Sequence, residues 1–370
     1  MLRILALEPY YGGSHRAFLD GWRRHSRHRL ELLTMPARKW KWRMRGAAVA
    51  MHQDVLERRG AFDVLFVSDF VDLAALAGMR PDALGGAPRM AYFHENQLTY
   101  PVPGEDERDY QFGFTNITTC LAADRVLFNS RYHLEGFLAA VDGLLGRMPD
   151  EVPQGVADRI RSRSHVVPVG VDVASIDAER GRAAAREGPL TVLWNHRWEY
   201  DKGADAFFGL MTELAEEGRE FELIVTGQRF RSAPPVFDEA RERLADRLRH
   251  FGYVESRADY CRLLLASDVA VSTAEQEFFG ISAVEAAYAR CVPLLPNRLS
   301  YPELLPAARH ATCLYEDRDD LRARLVHWME NVEEARRLDV SGDVRRFGWD
   351  RVAPLLDDAV EAACAEEGDG

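Results

Sequence analysis

The chain has 370 residues, 47% hydrophobic and 29% charged, too long for one ordinary core and suited to two domains of typical size. Its net charge of −12 on its own argues against nucleic acid as a partner, and no apolar run approaches the roughly 20 residues of a bilayer span. Five scattered cysteines form no C-x-x-C pair, so neither a disulfide framework nor a cysteine zinc site is indicated. The first apolar run, "LRILALEP" (2–9), reads as a buried strand rather than an export leader, which predicts a cytoplasmic protein without stable membrane association. Further strands are predicted at 29–36, 63–70, 89–96, 125–130 and 165–171, with helical patterns at 46–59, 111–122 and 130–145. A second series of strands follows at 190–197, 221–228, 250–254, 268–273, 291–296 and 312–316. Its helices are expected to start near 203, 236, 256 and 280.

This alternation is the signature of βαβ units, and the expected fold class is α/β: two Rossmann-like domains facing a central cleft. "VPVGVDVASIDAERGRAAAREGP" (167–189) interrupts the pattern, giving expected domains at 1–172 and 173–348. Residues 349–370 are expected to form a helix packing back on the first domain, with a loose tail from 365. The charge is uneven. Residues 1–172 carry 22 Lys+Arg against 21 Asp+Glu, whereas the remainder carries 25 against 38. The segment 22–45 holds nine Arg or Lys against one acid, Glu31.

In doubly wound domains, ligands bind beyond the C-terminal strand ends, where helix N-termini aim N–H groups at anions. The unusual polar residues here fall at such ends. Gly12 and Gly13 in "YYGGSHR" allow close backbone approach to a phosphate or sugar, although a glycine pair also serves as a plain turn. The full G-x-G-x-x-G of dinucleotide binders is absent, so a nicotinamide cofactor is not supported. "YFHENQLTYP" (92–101) ends a strand with His94, Glu95, Asn96 and Gln97 in succession, more polar groups than a turn needs. "WNHRWEYDKGADAFF" (194–208) puts Arg197 and Lys202 around a turn before a helix, which reads as a diphosphate clamp or as surface cations.

The stretch "AEQEFFGISAVEAAYARCVPLLP" (274–296) places Glu277 before a helix N-terminus and Glu285 among packed alanines. At 1.5 Å per residue the carboxylates lie roughly 8 to 12 Å apart along the chain. The amides of Phe279, Gly280 and Ile281 would bind the phosphates of a nucleotide sugar, with one carboxylate for each diol. A helix-dipole role accounts well for Glu277 but poorly for Glu285.

The E-x7-E spacing resembles the donor site of retaining GT-B glycosyltransferases of family 4. The motifs "RKWKWRMR", "YFHENQLTYP", "NHRWEYDK", "EFFGISAVEA" and "YPELLP", in this order, resemble the tRNA-queuosine alpha-mannosyltransferase family over nearly the whole chain. The resemblance implies a GT-B enzyme that moves mannose from GDP-mannose to the cyclopentenediol of queuosine in the anticodon of tRNA(Asp). By the same resemblance, Arg197 and Lys202 neutralise the leaving diphosphate, Glu285 binds the ribose, and Glu277 holds the mannose. Gly13 lies beside the diphosphate, His94 near the reacting sugar and Tyr253 near the nucleobase. His15, Glu95, Asn96 and Gln97 join His94 on the acceptor side. Same-face attack, with the leaving phosphate taking the proton, needs no carboxylate nucleophile, and no metal is expected.

The basic patch then gains a purpose. Arg23, Arg24, Arg27, Arg29, Arg38, Lys39, Lys41, Arg43 and Arg45 would contact RNA phosphates, and Trp40 and Trp42 would stack on bases. Residue chemistry alone fits an anionic lipid surface equally. The alternatives are a family 4 transferase with a lipid-linked or small-molecule acceptor, a sugar-nucleotide epimerase, and a non-catalytic RNA- or nucleotide-binding protein.

Overall fold

The computed structural model describes residues 1–58, 60–79, 86–102, 108–183, 186–229 and 233–368. The chain divides into two compact units, one of Met1–Gly170 with Trp349–Gly370, the other of Val171–Gly348. The break falls inside "VPVGVDV". No helix among the described residues is long and apolar enough to cross a membrane.

Unit 1 carries strands β1 (Arg3–Tyr11), β2 (Arg29–Pro36), β3 (Val64–Ser68), β4 (Arg89–Phe93), β5 (Arg125–Phe128) and β6 (Ser164–Val166). They pair in parallel in the order β2-β1-β3-β4-β5-β6. Helices α1 (Gly13–His25), α2 (Trp40–Glu57), α3 (Leu73–Met79), α4 (Tyr110–Ala122), α5 (Arg131–Leu145) and α6 (Val156–Arg161) connect them. A parallel sheet is covered on both faces, which is why β3 and β5 are buried at every position. The strand order reverses between β1 and β3, so the crevice beyond their C-terminal ends is the expected ligand site of this unit.

Unit 2 carries β7 (Leu190–Asn195), β8 (Phe221–Thr226), β9 (Leu248–Gly252), β10 (Val269–Val271), β11 (Val292–Pro296) and β12 (Leu314–Tyr315). Their order is β12-β11-β10-β7-β8-β9, again all parallel. Around them lie α7 (Val173–Glu179), α8 (Ala204–Glu216), α9 (Val236–Arg243), α10 (Arg257–Leu265), α11 (Ile281–Tyr288), α12 (Tyr301–Leu304) and α13 (Ala307–Cys313). Helices α14 (Arg318–Glu330), α15 (Val332–Arg337) and α16 (Ser341–Val344) complete the unit. Here the order reverses between β7 and β10. Helix starts follow local chemistry: Asp109, Ser130, Asp172, Ser256 and Asp317 each accept a hydrogen bond from a first-turn amide.

The last helix, α17 (Trp349–Gly368), belongs to unit 1. Asp357 on it accepts from Trp22 Nε1 at 2.8 Å and from Ser26 Oγ at 2.7 Å. It continues to Gly368, where a loose tail from 365 was expected; 369 and 370 lie outside the described residues. All twelve predicted strands are present. The helix predicted from residue 46 starts earlier, inside the basic segment: α2 already begins at Trp40, with Lys39 as its N-cap in the left-handed region at φ 56°. In the acidic sequence "GEDERD" (104–109), residues 104–107 lie outside the described residues, whereas Asp109 caps α4.

Candidate active site

In unit 2 the site grows from the loops after β7 and β10. Lys202 ends a short 3-10 turn (Tyr200–Lys202), and Gly203 then starts α8 at φ +64°. A Cβ on Gly203 would stand 2.2 Å from the carbonyl oxygen of Thr273, so glycine is needed both for conformation and for space. Thr273 Oγ1 donates across the same contact to the Gly203 carbonyl at 2.9 Å, tying the two loops together.

This packing buries Lys202 rather than leaving it as a surface cation. Its ammonium donates to the Gln276 carbonyl at 2.8 Å and lies 3.0 Å from Asp201 Oδ2 and 3.5 Å from Glu277 Oε2. Burial alone would disfavour the charge, but Glu277 and then Asp201 outweigh it and raise the lysine above its ordinary value. Arg197 is half-exposed and lies 3.1 Å from Glu199. Gly280, at φ +106°, caps α11, and Ser300 Oγ donates to the Phe279 carbonyl at 2.9 Å, holding the turn before the helix. The amides of the first turn, from Ile281 on, have no acceptor within the helix and are available to an anion. Tyr253 follows β9 and is 62% exposed.

Glu285 is buried on α11 and is held by two residues the sequence reading did not single out. Arg257 Nη1 lies 2.6 Å from Oε1, and the Tyr260 hydroxyl donates to Oε2 at 2.9 Å. The available signal was Arg257 and Tyr260 at i and i+3, which share one face of a helix directly after β9. Glu285 is therefore ion-paired, and its two partners leave part of the carboxylate unengaged.

In unit 1 the site gathers around β1 and β3. Glu8 is an acid within an apolar strand; it accepts from the Tyr10 amide at 2.8 Å and bonds His15 Nδ1 at 2.9 Å. The register of β1 against β2 shifts between Glu8 and Tyr11, which re-aims this strand end. His15 and His94 rings stand 4.3 Å apart, and Asp69, fully buried after β3, accepts from the His94 amide at 2.9 Å. Burial disfavours the His15 imidazolium, but Glu8 and Asp69 outweigh it and raise it to about 9. Burial, then the charges of His15 and His133, holds His94 well below its usual value. The pair is thus one cation beside one neutral base. Burial also pushes Asp69 up. Among the described residues, Glu8, His15 and His94 form the one His/carboxylate group close enough to hold a metal, their ligating atoms lying within 4.8 Å of one another. Within this group Glu8 Oε2 and His15 Nδ1 are already bonded to each other.

The remaining acceptor-side residues separate. Asn96 is fully buried and its Oδ1 accepts from the amides of Leu98 at 3.0 Å and Thr99 at 2.9 Å, so it builds the loop rather than facing a ligand. Gln97 Nε2 donates to Glu95 at 3.2 Å, both half-buried. Gly12 packs on Ala37, and Gly13 at φ +52° starts α1 in open space. Arg38, Lys39, Lys41, Trp42 and Arg45 are exposed, and Arg45 lies over the Phe112 ring at 4.8 Å. Two members leave the patch. Arg43 is buried and donates to the Pro36 carbonyl at 3.1 Å, and Trp40 packs on Phe112 at 5.2 Å. Of the outlying arginines, Arg27 is engaged by Asp358 at 2.6 Å and Glu361 at 2.8 Å on α17, and Arg23 by Asp20 at 3.0 Å.

Residues 3–171 match the family model of the tRNA-queuosine alpha-mannosyltransferase N-terminal region, and residues 175–342 match glycosyl transferases group 1. The chain is 38% identical over 310 residues to the tRNA-queuosine alpha-mannosyltransferase of Drosophila melanogaster, covering 82% of this chain and 81% of the fly protein. It is 26% identical over 208 residues to a GDP-mannose:cellobiosyl-diphosphopolyprenol alpha-mannosyltransferase of Xanthomonas campestris, covering 55% of this chain and 53% of that one. Among solved structures, HepE of Anabaena with UDP superposes at a TM-score of 0.68 with 14% identity, over 98% of this chain and all of that one. Sucrose-phosphate synthase of Thermosynechococcus elongatus superposes at 0.66 with 14% identity, over 100% of this chain and 98% of its own, which makes the fold that of GT-B glycosyltransferases. By its sequence over most of its length, the chain belongs to the tRNA-queuosine alpha-mannosyltransferase family.

Proposed function

We propose that this protein transfers mannose from GDP-mannose to the cyclopentenediol of queuosine in tRNA(Asp), with retention at the anomeric carbon. The observation that carries the reading is the 38% identity to the fly enzyme across both units, coupled to an intact cation and carboxylate set in unit 2. The Xanthomonas relative, whose name carries GDP-mannose, supports that donor.

In this reading, Lys202 and Arg197 neutralise the diphosphate as it leaves, with the first-turn amides of α11 beside them. The buried ammonium is pre-oriented by Asp201, Glu277 and the Gln276 carbonyl, so little reorganisation accompanies the charge developing in an oxocarbenium-like state. Glu277 takes the mannose hydroxyls and Glu285 the ribose. His94, neutral beside the charged His15, accepts or donates a hydrogen bond at the reacting sugar, and the departing phosphate takes the acceptor's proton. The cations and amides already serve the diphosphate, and we propose a metal-independent reaction.

The test is direct transfer. Purified protein is incubated with queuosine-containing tRNA(Asp) and GDP-mannose, with UDP-galactose in parallel, and the digested nucleosides are weighed by mass spectrometry. A hexose added to queuosine with GDP-mannose alone is the expected result. A gain with UDP-galactose alone overturns the donor, and labelled transfer to a lipid extract but not to tRNA overturns the acceptor.

A further inference from the structure

The partners of Glu285 form a closed arrangement. Asn195, at the C-terminal end of β7, donates through Nδ2 to the Tyr260 hydroxyl at 3.1 Å and to the Ser282 carbonyl at 3.1 Å. Both amide hydrogens are thereby used, which fixes the orientation of the Asn195 side chain. Because the Tyr260 oxygen accepts from Asn195, its single proton points to Glu285 Oε2, 2.9 Å away. Arg257 binds the other oxygen, Oε1, at 2.6 Å, and is itself anchored by Nη2 to the Asp172 carbonyl at 3.1 Å. Its guanidinium also lies over the Tyr260 ring, 5.4 Å from the centroid.

A carboxylate offers about four lone-pair positions on two oxygens. Arg257 and Tyr260 take one on each oxygen. Capacity for one further hydrogen bond remains on each oxygen, and a vicinal diol presents two O–H donors, one for each. The arrangement also holds a buried carboxylate in one rotamer, with the Arg257 guanidinium balancing its charge.

We propose that Tyr260 and Arg257 are positioning residues that aim the free lone pairs of Glu285 at the donor ribose, and that Tyr260 thereby sets discrimination between ribonucleotide and deoxyribonucleotide donors. This rests on the reading that Glu285 binds the ribose. A purely structural ion pair would stabilise unit 2 without affecting selection between ribose and deoxyribose.

The experiment measures binding by calorimetry of GDP against 2′-deoxy-GDP and 3′-deoxy-GDP, with the uridine series beside them so that the base does not decide the outcome. Wild-type protein, Tyr260→Phe, Arg257→Lys and Glu285→Gln are compared, with unfolding midpoints as the control for folding. In the wild type the ribonucleotide is expected to bind about ten-fold or more tighter than either deoxy form, the value of a hydrogen bond to a charged group. In Tyr260→Phe that ratio is expected to fall several-fold through weaker ribonucleotide binding, with a smaller fall in Arg257→Lys. In turnover, the donor KM is expected to rise with little change in kcat. Loss of discrimination in Glu285→Gln but full retention in both Tyr260→Phe and Arg257→Lys overturns this proposal and leaves the ribose reading standing. Full discrimination in Glu285→Gln overturns the ribose reading itself. Equal loss of all nucleotides in Tyr260→Phe, with an unchanged ratio, also overturns the proposal in favour of a structural role.

Discussion

The two units place charge in opposite ways at equivalent points of their sheets. In unit 2, beyond β7 and β10, a buried lysine is held by two carboxylates and stays charged across the physiological range. In unit 1, beyond β1 and β3, two histidines stand ring to ring at 4.3 Å, one charged and one neutral. The first arrangement suits a ligand whose charge never changes, a diphosphate. The second suits hydroxyls, which need a hydrogen-bond donor and an acceptor together. The topology supplies each location through its strand-order reversal, and the side chains decide what the location can hold.

The sharpest way to break this comparison is to remove the fixed cation. Lys202→Met leaves Asp201 and Glu277 facing each other without compensation, and kcat is expected to fall by about 1,000-fold. Lys202→Arg separates charge from geometry: chemical denaturation is expected to recover most of the stability, while steady-state turnover stays depressed. Wild-type turnover in the methionine variant would remove Lys202 from the diphosphate site.

Unit 1 is tested by titration. His15 rises from 6.5 to about 9, so the folded state binds its proton more tightly than the unfolded chain. The stabilisation is complete below pH 6.5 and is lost as pH rises through about 9. A shift of that size corresponds to about 3 kcal/mol. Glu8→Gln is expected to remove most of it, so the stability gap to wild type should be wide at pH 6 and close by pH 9.5 in urea unfolding. A gap that does not change with pH would mean that Glu8 does not hold a charged His15. Of similar size, Gly203→Ala is expected to cost about 3 kcal/mol, since its backbone is left-handed and its Cβ would meet a carbonyl. Unaltered unfolding in that variant would mean that the loops after β7 and β10 are free to separate.

The strands were legible because a parallel sheet is buried on both faces, so each strand reads as an apolar run between polar stretches. The cations and carboxylates of unit 2 were legible because they sit at strand ends in short motifs. The start of α2 was not: its first turn is Lys, Trp and Arg, with no apolar periodicity to mark a helix. Glu8 and Asp69 were missed although each is an acid closing an apolar run, a burial signal akin to that of Glu285 among packed alanines. Tyr260 lies 25 residues from Glu285 and Asp357 lies 335 from Trp22, pairings that only the folded chain reveals. The basic patch shows the converse: composition counted nine cations, and tertiary structure commits Arg27 and Arg43 elsewhere.

What remains of that patch yields the smallest predicted effects. Trp42 is 61% exposed, and its ring lies over Gly46 one turn on, where an added Cβ would come within 2.9 Å. One face of the indole is thus supported by backbone while the rest is open, the arrangement a stacking platform needs. Trp42→Ala is expected to weaken tRNA binding about ten-fold, the value of one stacked base. Lys41, exposed beside it, would contact a phosphate; Lys41→Ala is expected to cost only a few-fold and to lower the slope of log K against log salt by about one. Filter binding across a salt series separates the two, since stacking is lost equally at every salt and a phosphate contact is not. A changed affinity for GDP in either variant would place these residues at the donor and not at the RNA.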